Sequence, residues 1–307
     1  MNILIYGFGR MGLTHYTILN TLLPKSNFTF VEPNGKLRFL LKDNVECNIE
    51  PSDKNINQSF DLTLITSPPF AHTELLLKSI NRNDKKIFVE KPFGGDMNYR
   101  FDIERNNVYV GYVLRHNPII SWIKNNIDFS NVVEVNANYL SNTLQKKPHG
   151  WRNGNYSGVL NEMGSHILDL CNYLFNIRNY KIVDKEIRSV ISDVDDIVFL
   201  ELESNSRKFK FNFNWVNTKI RKPSFSFDLK LNDQTEIFFD QQKIEFLKNN
   251  QVIKSLSVVD IASSVPFYLR GIDFTNQMLD LINDCKLMTN ISDALLVNNI
   301  IKTTKNK

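Results

Sequence analysis

The chain has 307 residues, of which 42% are hydrophobic and 23% charged, with a net charge of +4. This is the make-up of an ordinary globular protein of two domains, and the charge is too small and too evenly spread for a nucleic-acid or anionic-membrane ligand. No apolar run nears bilayer-spanning length, and Cys47, Cys171 and Cys285 are far apart, odd in number and without metal spacing; a reducing cytoplasm is expected, with neither a leader nor a metal site.

The opening residues, Asn2 to Tyr6, read as an apolar strand that stops at Gly7. A helical pattern starts near Met11, with Met11, Ile18, Leu19 and Leu22 on one face and His15 between them. Between them lies Gly7-Phe8-Gly9-Arg10-Met11-Gly12, the dinucleotide spacing. Gly7 permits the turn, Gly9 lets backbone approach a pyrophosphate, Gly12 lets the helix close on the strand, and free N–H groups at the helix start face phosphate. Phe28 to Val31 reads as the next strand, ending in Glu32, whose carboxylate suits the adenosine ribose hydroxyls and repels a 2′-phosphate. NAD is therefore expected over NADP, although Lys36 and Arg38 stand near enough to hold such a phosphate.

A short helix over 36–41 and a strand over 45–49 follow, then a buried strand over 60–66 ended by Ser67-Pro68-Pro69. A helix over 72–80, a strand over 86–89 ending in Glu90-Lys91-Pro92, a shortened helix within 94–107 and a strand over 108–113 complete a βα alternation. That alternation predicts a doubly wound parallel sheet with ligands at the strand ends, where Gly7, Glu32, Ser67 and Lys91 all fall. Beyond Arg115 the pattern changes. After a helix over 119–126, residues 133–139, 209–215 and 225–231 alternate apolar with polar, and 236–239 and 243–247 extend the set. Period-two alternation predicts an antiparallel sheet with one face on a core, while Lys210, Asn212, Asp228 and Lys230 mark the other face. Two helices, over 267–284 and 293–302 with Ser292 as cap, close the chain. The domains expected are 1–114 and 115–307.

Lys91 stands at a strand end beside the expected nicotinamide ribose, or in a plain surface Glu-Lys pair before a turn. In 158–170, Glu162 and His166 lie four apart on one helical side, where a carboxylate and an imidazole can orient and carry a proton. Arg115 and Arg152 can grip a carboxylate or diphosphate, and Trp151 can stack on a sugar face.

Taken in order, Gly7–Gly12, Ser67-Pro68-Pro69 with His72, Glu90-Lys91-Pro92, Tyr112 with Arg115 and Pro118, Trp151-Arg152 and Gly164-Ser165-His166 resemble the glucose–fructose oxidoreductase, inositol dehydrogenase and rhizopine catabolism family. The resemblance runs from the first residue to the closing helices. It implies a Rossmann domain followed by an α/β domain with a large, mostly antiparallel sheet that builds a dimer or tetramer contact in relatives. It also implies hydride transfer between nicotinamide and a sugar, polyol or nucleotide-sugar carbon. On the same footing Lys91 and His166 are catalytic, in a cleft between the domains. Glu162 stands where relatives most often carry aspartate. Ser67, Pro68, His72, Glu90 and Lys91 join the cofactor surface, and Lys91, Arg115, Trp151, Arg152 and His166 the substrate surface. Two other outcomes stay open: a glycosidase that oxidises transiently through bound NAD, and a catalytically silent cofactor-binding regulator.

Overall fold

In the computed structural model the described residues are 1–306 except 43, 44, 46, 94–105, 155 and 262–270, and the side chain of Trp151 lies outside them. They form two compact units, Met1–Val113 with Phe267–Leu295, and Leu114–Pro266 with Leu296–Lys307.

In the first unit β1 (Asn2–Tyr6) leads into α1 (Arg10–Leu22), β2 (Asn27–Val31), α2 (Gly35–Leu41), β3 (Asn48–Glu50), β4 (Leu62–Ile65), α3 (His72–Asn81), β5 (Lys86–Val89) and β6 (Val108–Val110). The strands pair in parallel, and Ile3, Leu4 and Ile5 are wholly buried, as a sheet covered on both faces demands. Ile3, Ile5, Phe28, Phe30, Leu62, Leu64 and Phe88 pack with Tyr16, Ile18 and Leu19 of α1. Each such side chain contributes about 1.5–3 kcal/mol on burial. Register is what places the site. Tyr6 lies level with Val31 and Ile65, and Ile65 with Val89, so Gly7, Glu32, Thr66 and Glu90 leave the sheet side by side. Strand β3 begins three residues later than the sequence reading placed it, and β6 stops at Val110, before Gly111. The helix expected within 94–107 falls largely outside the described residues.

In the second unit α4 (Pro118–Asn126) is capped by the Asn117 side chain and leads to β7 (Val132–Leu140). A π-helical turn, Leu160–Gly164, runs into α5 (Ser165–Phe175). Then come β8 (Tyr180–Arg188), β9 (Ile197–Ser204), β10 (Arg207–Asn214), β11 (Ser224–Leu231), β12 (Glu236–Asp240), β13 (Lys243–Lys248), β14 (Gln251–Ser257) and α6 (Val258–Ile261). The sheet order is β14-β13-β12-β11-β7-β10-β9-β8, with β7 and β10 parallel and the other pairs antiparallel. Phe209, Phe211, Phe213, Phe225, Phe227 and Leu229 are buried on one face, as their alternation predicts. Strands β8, β9 and β14 were not read from the sequence.

The chain then returns to the first unit. α7 (Ile272–Ile282) packs on α1, and Lys86 Nζ donates to the carbonyls of Leu281 and Asn283 at 2.8 and 3.0 Å. β15 (Thr289–Asn290) adds antiparallel to β6, giving the sheet β15-β6-β5-β4-β1-β2-β3. These contacts put Phe267–Leu295 with the first unit, where the sequence division at 114 had given all later residues to the second. The last helix, α8 (Ile291–Lys305), starts two residues before the expected position. Its first turn is capped by Asn290, whose Oδ1 accepts from Asp293 N at 2.8 Å, and Ser292 lies within the helix. The first residues of the helix expected from 267 lie outside the described residues; α7 is its described part.

Candidate functional site

The glycine turn is built by close approach. Gly7 has φ +89°, and a Cβ there would sit 3.1 Å from Ser67 Cα. At Gly12 a Cβ would fall 2.1 Å from Gly7 O and 2.9 Å from Thr66 Oγ1, so a side chain there cannot coexist with the turn. At Gly9, which precedes α1 with no side-chain cap, a Cβ would meet nothing within 4 Å. An uncapped helix start behind an open glycine is the geometry of an anion cradle. The Thr66 hydroxyl, 2.9 Å from the carbonyls of Tyr6 and Gly7, ties the turn to β4.

Glu32 lies where the sequence places it, at the end of β2, but it also braces the turn. Its Oε2 accepts from Phe8 N and its Oε1 from Asn34 N, both at 2.8 Å, and the residue is 6% exposed. Each carboxylate oxygen has a second acceptor direction, so ribose hydroxyls can still donate to it. Arg38 Nη1 donates to the carbonyls of Glu32 and Pro33, which engages that nitrogen inside the protein. Ser67 Oγ, beside Gly7, is buried with no hydrogen-bond partner among the described residues. A buried hydroxyl without a partner is costly unless a ligand supplies one.

His72 does something other than the expected cofactor contact. Its ring is buried between two carbonyls, Nε2 at 2.8 Å from Ser67 O and Nδ1 at 3.0 Å from Pro92 O. It is a strut between the ends of β4 and β5. Burial holds its pKa below the ordinary histidine value against the pull of both carbonyls. Glu90 likewise turns inward, its Oε1 2.7 Å from His15 Nε2. Lys91 follows it, half-buried, with its N–H donated to Glu90 Oε2 at 3.2 Å.

In the second unit the two residues expected to be catalytic, Glu162 and His166, lie just before and at the start of α5. Gly158, at φ +105°, leaves room for Asp195, whose Oδ1 a Cβ there would approach to 2.1 Å. Asp195 then holds the incoming turn: its Oδ2 accepts from Leu160 N at 2.8 Å, its carbonyl from Val159 N at 2.7 Å, and its Oδ1 meets Lys305 Nζ at 2.5 Å. Lys305 also donates to Ser157 O, and Ser157 Oγ donates to Glu162 Oε1 at 3.2 Å. His166 is buried on the first turn of α5. Glu162 belongs to the π-helical turn, whose wider winding changes the alignment with His166 that α-helical spacing predicts.

Arg115 is a correction. Its Nε and Nη2 donate to the two oxygens of Asp169 at 2.8 and 2.6 Å, both residues are buried, and the guanidinium covers the Tyr173 ring at 4.9 Å. The fork expected to grip substrate is spent inside the protein. Arg152 is exposed on a 3₁₀ turn, Gly150–Asn153. The expected Trp151 stacking contact lies outside the described residues. Sequence reasoning gave no role to His15, though it noted it on the apolar face of the first helix, and passed over Asp195 and Lys305, for which the acidic pair Asp195-Asp196 was the signal.

A comparison with protein-family models finds no match. Among curated proteins, the glucose-6-phosphate 3-dehydrogenase of Bacillus subtilis (strain 168) is 24% identical over 196 residues, which are 56% of this chain and 53% of that protein. The match thus spans about half the length of that relative. Among solved structures, an oxidoreductase domain protein from Kribbella flavida superposes with a TM-score of 0.80 at 15% identity, over 99% of this chain and 95% of that one. A levoglucosan dehydrogenase in complex with NADH and L-sorbose gives 0.78 at 16%, over 99% and 96%. A UDP-N-acetylglucosamine 3-dehydrogenase from Acidithiobacillus ferrooxidans gives 0.73 at 14%, over 99% and 96%. The fold is that of these solved structures: a Rossmann-like, mostly parallel sheet with a second, mostly antiparallel one.

Proposed function

We propose that this protein is an NAD-dependent oxidoreductase that moves a hydride between nicotinamide and a carbon of a sugar, polyol or nucleotide sugar. One observation carries the cofactor reading: the open helix start behind Gly9, the Glu32 carboxylate and the orphaned Ser67 hydroxyl emerge from adjacent strand ends. Gly7, Phe8, Gly9, Arg10, Met11 and Gly12 would hold the pyrophosphate, Glu32 the adenosine ribose, and Ser67 and Pro68 the neighbouring surface. Bound NAD supplies the hydride acceptor. Glu32 favours NAD over NADP, because the braced carboxylate stands where a 2′-phosphate would come and Arg38 already serves two carbonyls. The Bacillus subtilis relative and the dehydrogenases among the solved structures support a carbohydrate as substrate.

Within this reading the Lys91 ammonium steadies the developing alkoxide, and His166 takes the hydroxyl proton, with Glu162 orienting its surroundings. Arg152 and Trp151 remain substrate contacts of the proposal. A homo-oligomer in a cytoplasmic setting completes it: Val183, Ile187 and Phe199 are exposed on β8 and β9, and the three cysteines are free. No helix among the described residues is long and apolar enough to cross a membrane.

The test is a panel of sugars, sugar phosphates, polyols and nucleotide sugars, followed by thermal shift and by nicotinamide absorbance with NAD and with NADP. Net reduction of NAD by one class, lowered about a hundredfold or more in Lys91→Ala and in His166→Ala, is the expected result. Turnover that survives both substitutions would remove the roles given to Lys91 and His166, and NAD binding with no turnover on any class would leave a cofactor-binding regulator.

A further inference from the structure

One buried ionisable pair has no part in the roles assigned so far. His15, on α1, is wholly buried and faces Glu90 Oε1 through Nε2 at 2.7 Å. Glu90 is 7% exposed, and its other oxygen accepts the Lys91 N–H at 3.2 Å. With Glu90 a carboxylate, Nε2 carries the hydrogen of this bond. The pair sits in a made space. A Cβ on Gly111, just past β6, would lie 2.8 Å from Phe88 Cζ and 3.3 Å from the Glu90 carboxyl carbon and Oε2. The Phe88 ring meets the His15 ring edge-on at 5.1 Å, and the Phe274 ring of α7 lies tilted to it at 6.2 Å.

A buried carboxylate is tolerated only with a partner, and removing one member of such a pair leaves an uncompensated charge. What distinguishes this pair is what its two ends carry. α1 begins in the glycine turn, so His15 moves with the phosphate cradle. Glu90 is joined through one peptide bond to Lys91. We propose that His15 is a positioning residue, which through Glu90 holds the Lys91 strand end in fixed register with the glycine-turn helix, so that a nicotinamide carried by the one lies against the ammonium of the other. The inference rests on the cofactor reading above. A misplacement near 1 Å at a reacting centre costs about a hundredfold in rate, so one hydrogen bond that sets this register matters beyond its own strength.

The test uses the full chain as wild type, His15→Leu, which removes the donor, and His15→Gln, whose amide nitrogen can still donate to Glu90. Reduced NAD is titrated by its own fluorescence, and Lys91 acetylation is followed by mass spectrometry with and without it. At ten times its Kd, reduced NAD should slow acetylation of Lys91 about tenfold in the wild type. In His15→Leu, folded by circular dichroism and brought to the same saturation, protection should fall below about twofold, and His15→Gln should restore it. Should His15→Leu fail to fold, His15→Asn replaces it, since its shorter amide stops short of Glu90. Full protection in the donor-less variant overturns the inference, as does a loss that His15→Gln fails to restore, because either leaves His15 a packing role alone. Wild-type protein that binds reduced NAD without protecting Lys91 also overturns it. Wild-type protein that binds no reduced NAD overturns the cofactor reading, and this inference with it.

Discussion

At the carboxyl edge of the first sheet, Gly7, Glu32, Ser67 and Lys91 are placed by backbone: strand register sets their level, and two glycine contacts set the turn. In the second unit, Glu162 and His166 are placed by side chains, with Asp195 reaching back 35 residues to Leu160 and Lys305 reaching back 148 to Ser157. The first arrangement fails when an atom is added. The second fails when a charge is removed. Variants that do one or the other should therefore separate cofactor binding from stability.

The largest effect should come from Gly12→Ala. The atom a Cβ would strike is the Gly7 carbonyl, which is backbone and cannot swing aside as a side chain could. We expect a loss of about 3 kcal/mol in urea unfolding, together with loss of reduced-NAD binding by fluorescence titration. Unchanged stability and affinity would show that the turn relaxes freely and is not placed by close approach.

Asp195→Ala removes the acceptor of Leu160 N and the partner of Lys305 at once. The expected cost is about 2 kcal/mol, that of a lost cap with a stranded buried donor. Binding of reduced NAD should stay within about twofold, since nothing in the glycine turn depends on Asp195. A matching loss of cofactor affinity would break the contrast between the two units.

The same contrast decides what could be read from the chain. Glycine positions and buried parallel strands are legible because sterics dictate residue type locally: only glycine accepts the Gly7 backbone, and strands covered on both faces are apolar throughout. The face of β10 was legible from its phenylalanines, and β9 carried the same signal, with Val198, Leu200 and Leu202 buried between Phe199, Glu201 and Glu203. β8 carried none. It is exposed along almost its whole length and exists as a strand because β9 offers it a ladder. Arg115 was expected at the substrate because its fork suits a carboxylate, and His72 and Glu90 at the cofactor because the family resemblance implies it. Their partners, Asp169, two backbone carbonyls and His15, are distant choices of the fold that no local pattern announces.

Ser67→Ala sharpens the reading of the first unit with a smaller effect. Since Ser67 Oγ is buried with no partner among the described residues, its removal should leave unfolding stability unchanged or raise it by up to about 1 kcal/mol. If the hydroxyl serves the cofactor, affinity for reduced NAD should drop about fivefold, the net worth of one hydrogen bond. A stability loss with unchanged affinity would reverse the assignment.

The smallest effect concerns the strut between the ends of β4 and β5. His72 lies between the carbonyls of Ser67 and Pro92, and burial lowers its pKa in the folded protein below the ordinary value of about 6.5. The unfolded chain therefore binds this proton more readily than the folded one. Stability from His72 is present in full above about pH 6.5 and is lost as pH falls through the lower folded value. The slope it adds in that window cannot exceed one proton, about 1.4 kcal/mol per pH unit. His72→Gln has no such titration, while the other four histidines act alike in both proteins. Urea unfolding from pH 7.5 down to 5.0 should show the wild type losing stability faster than His72→Gln, with parallel curves above pH 7. Parallel curves at every pH would mean that folding leaves His72 unshifted, and a wild type that gains on acidification that His72 holds both carbonyls as an imidazolium.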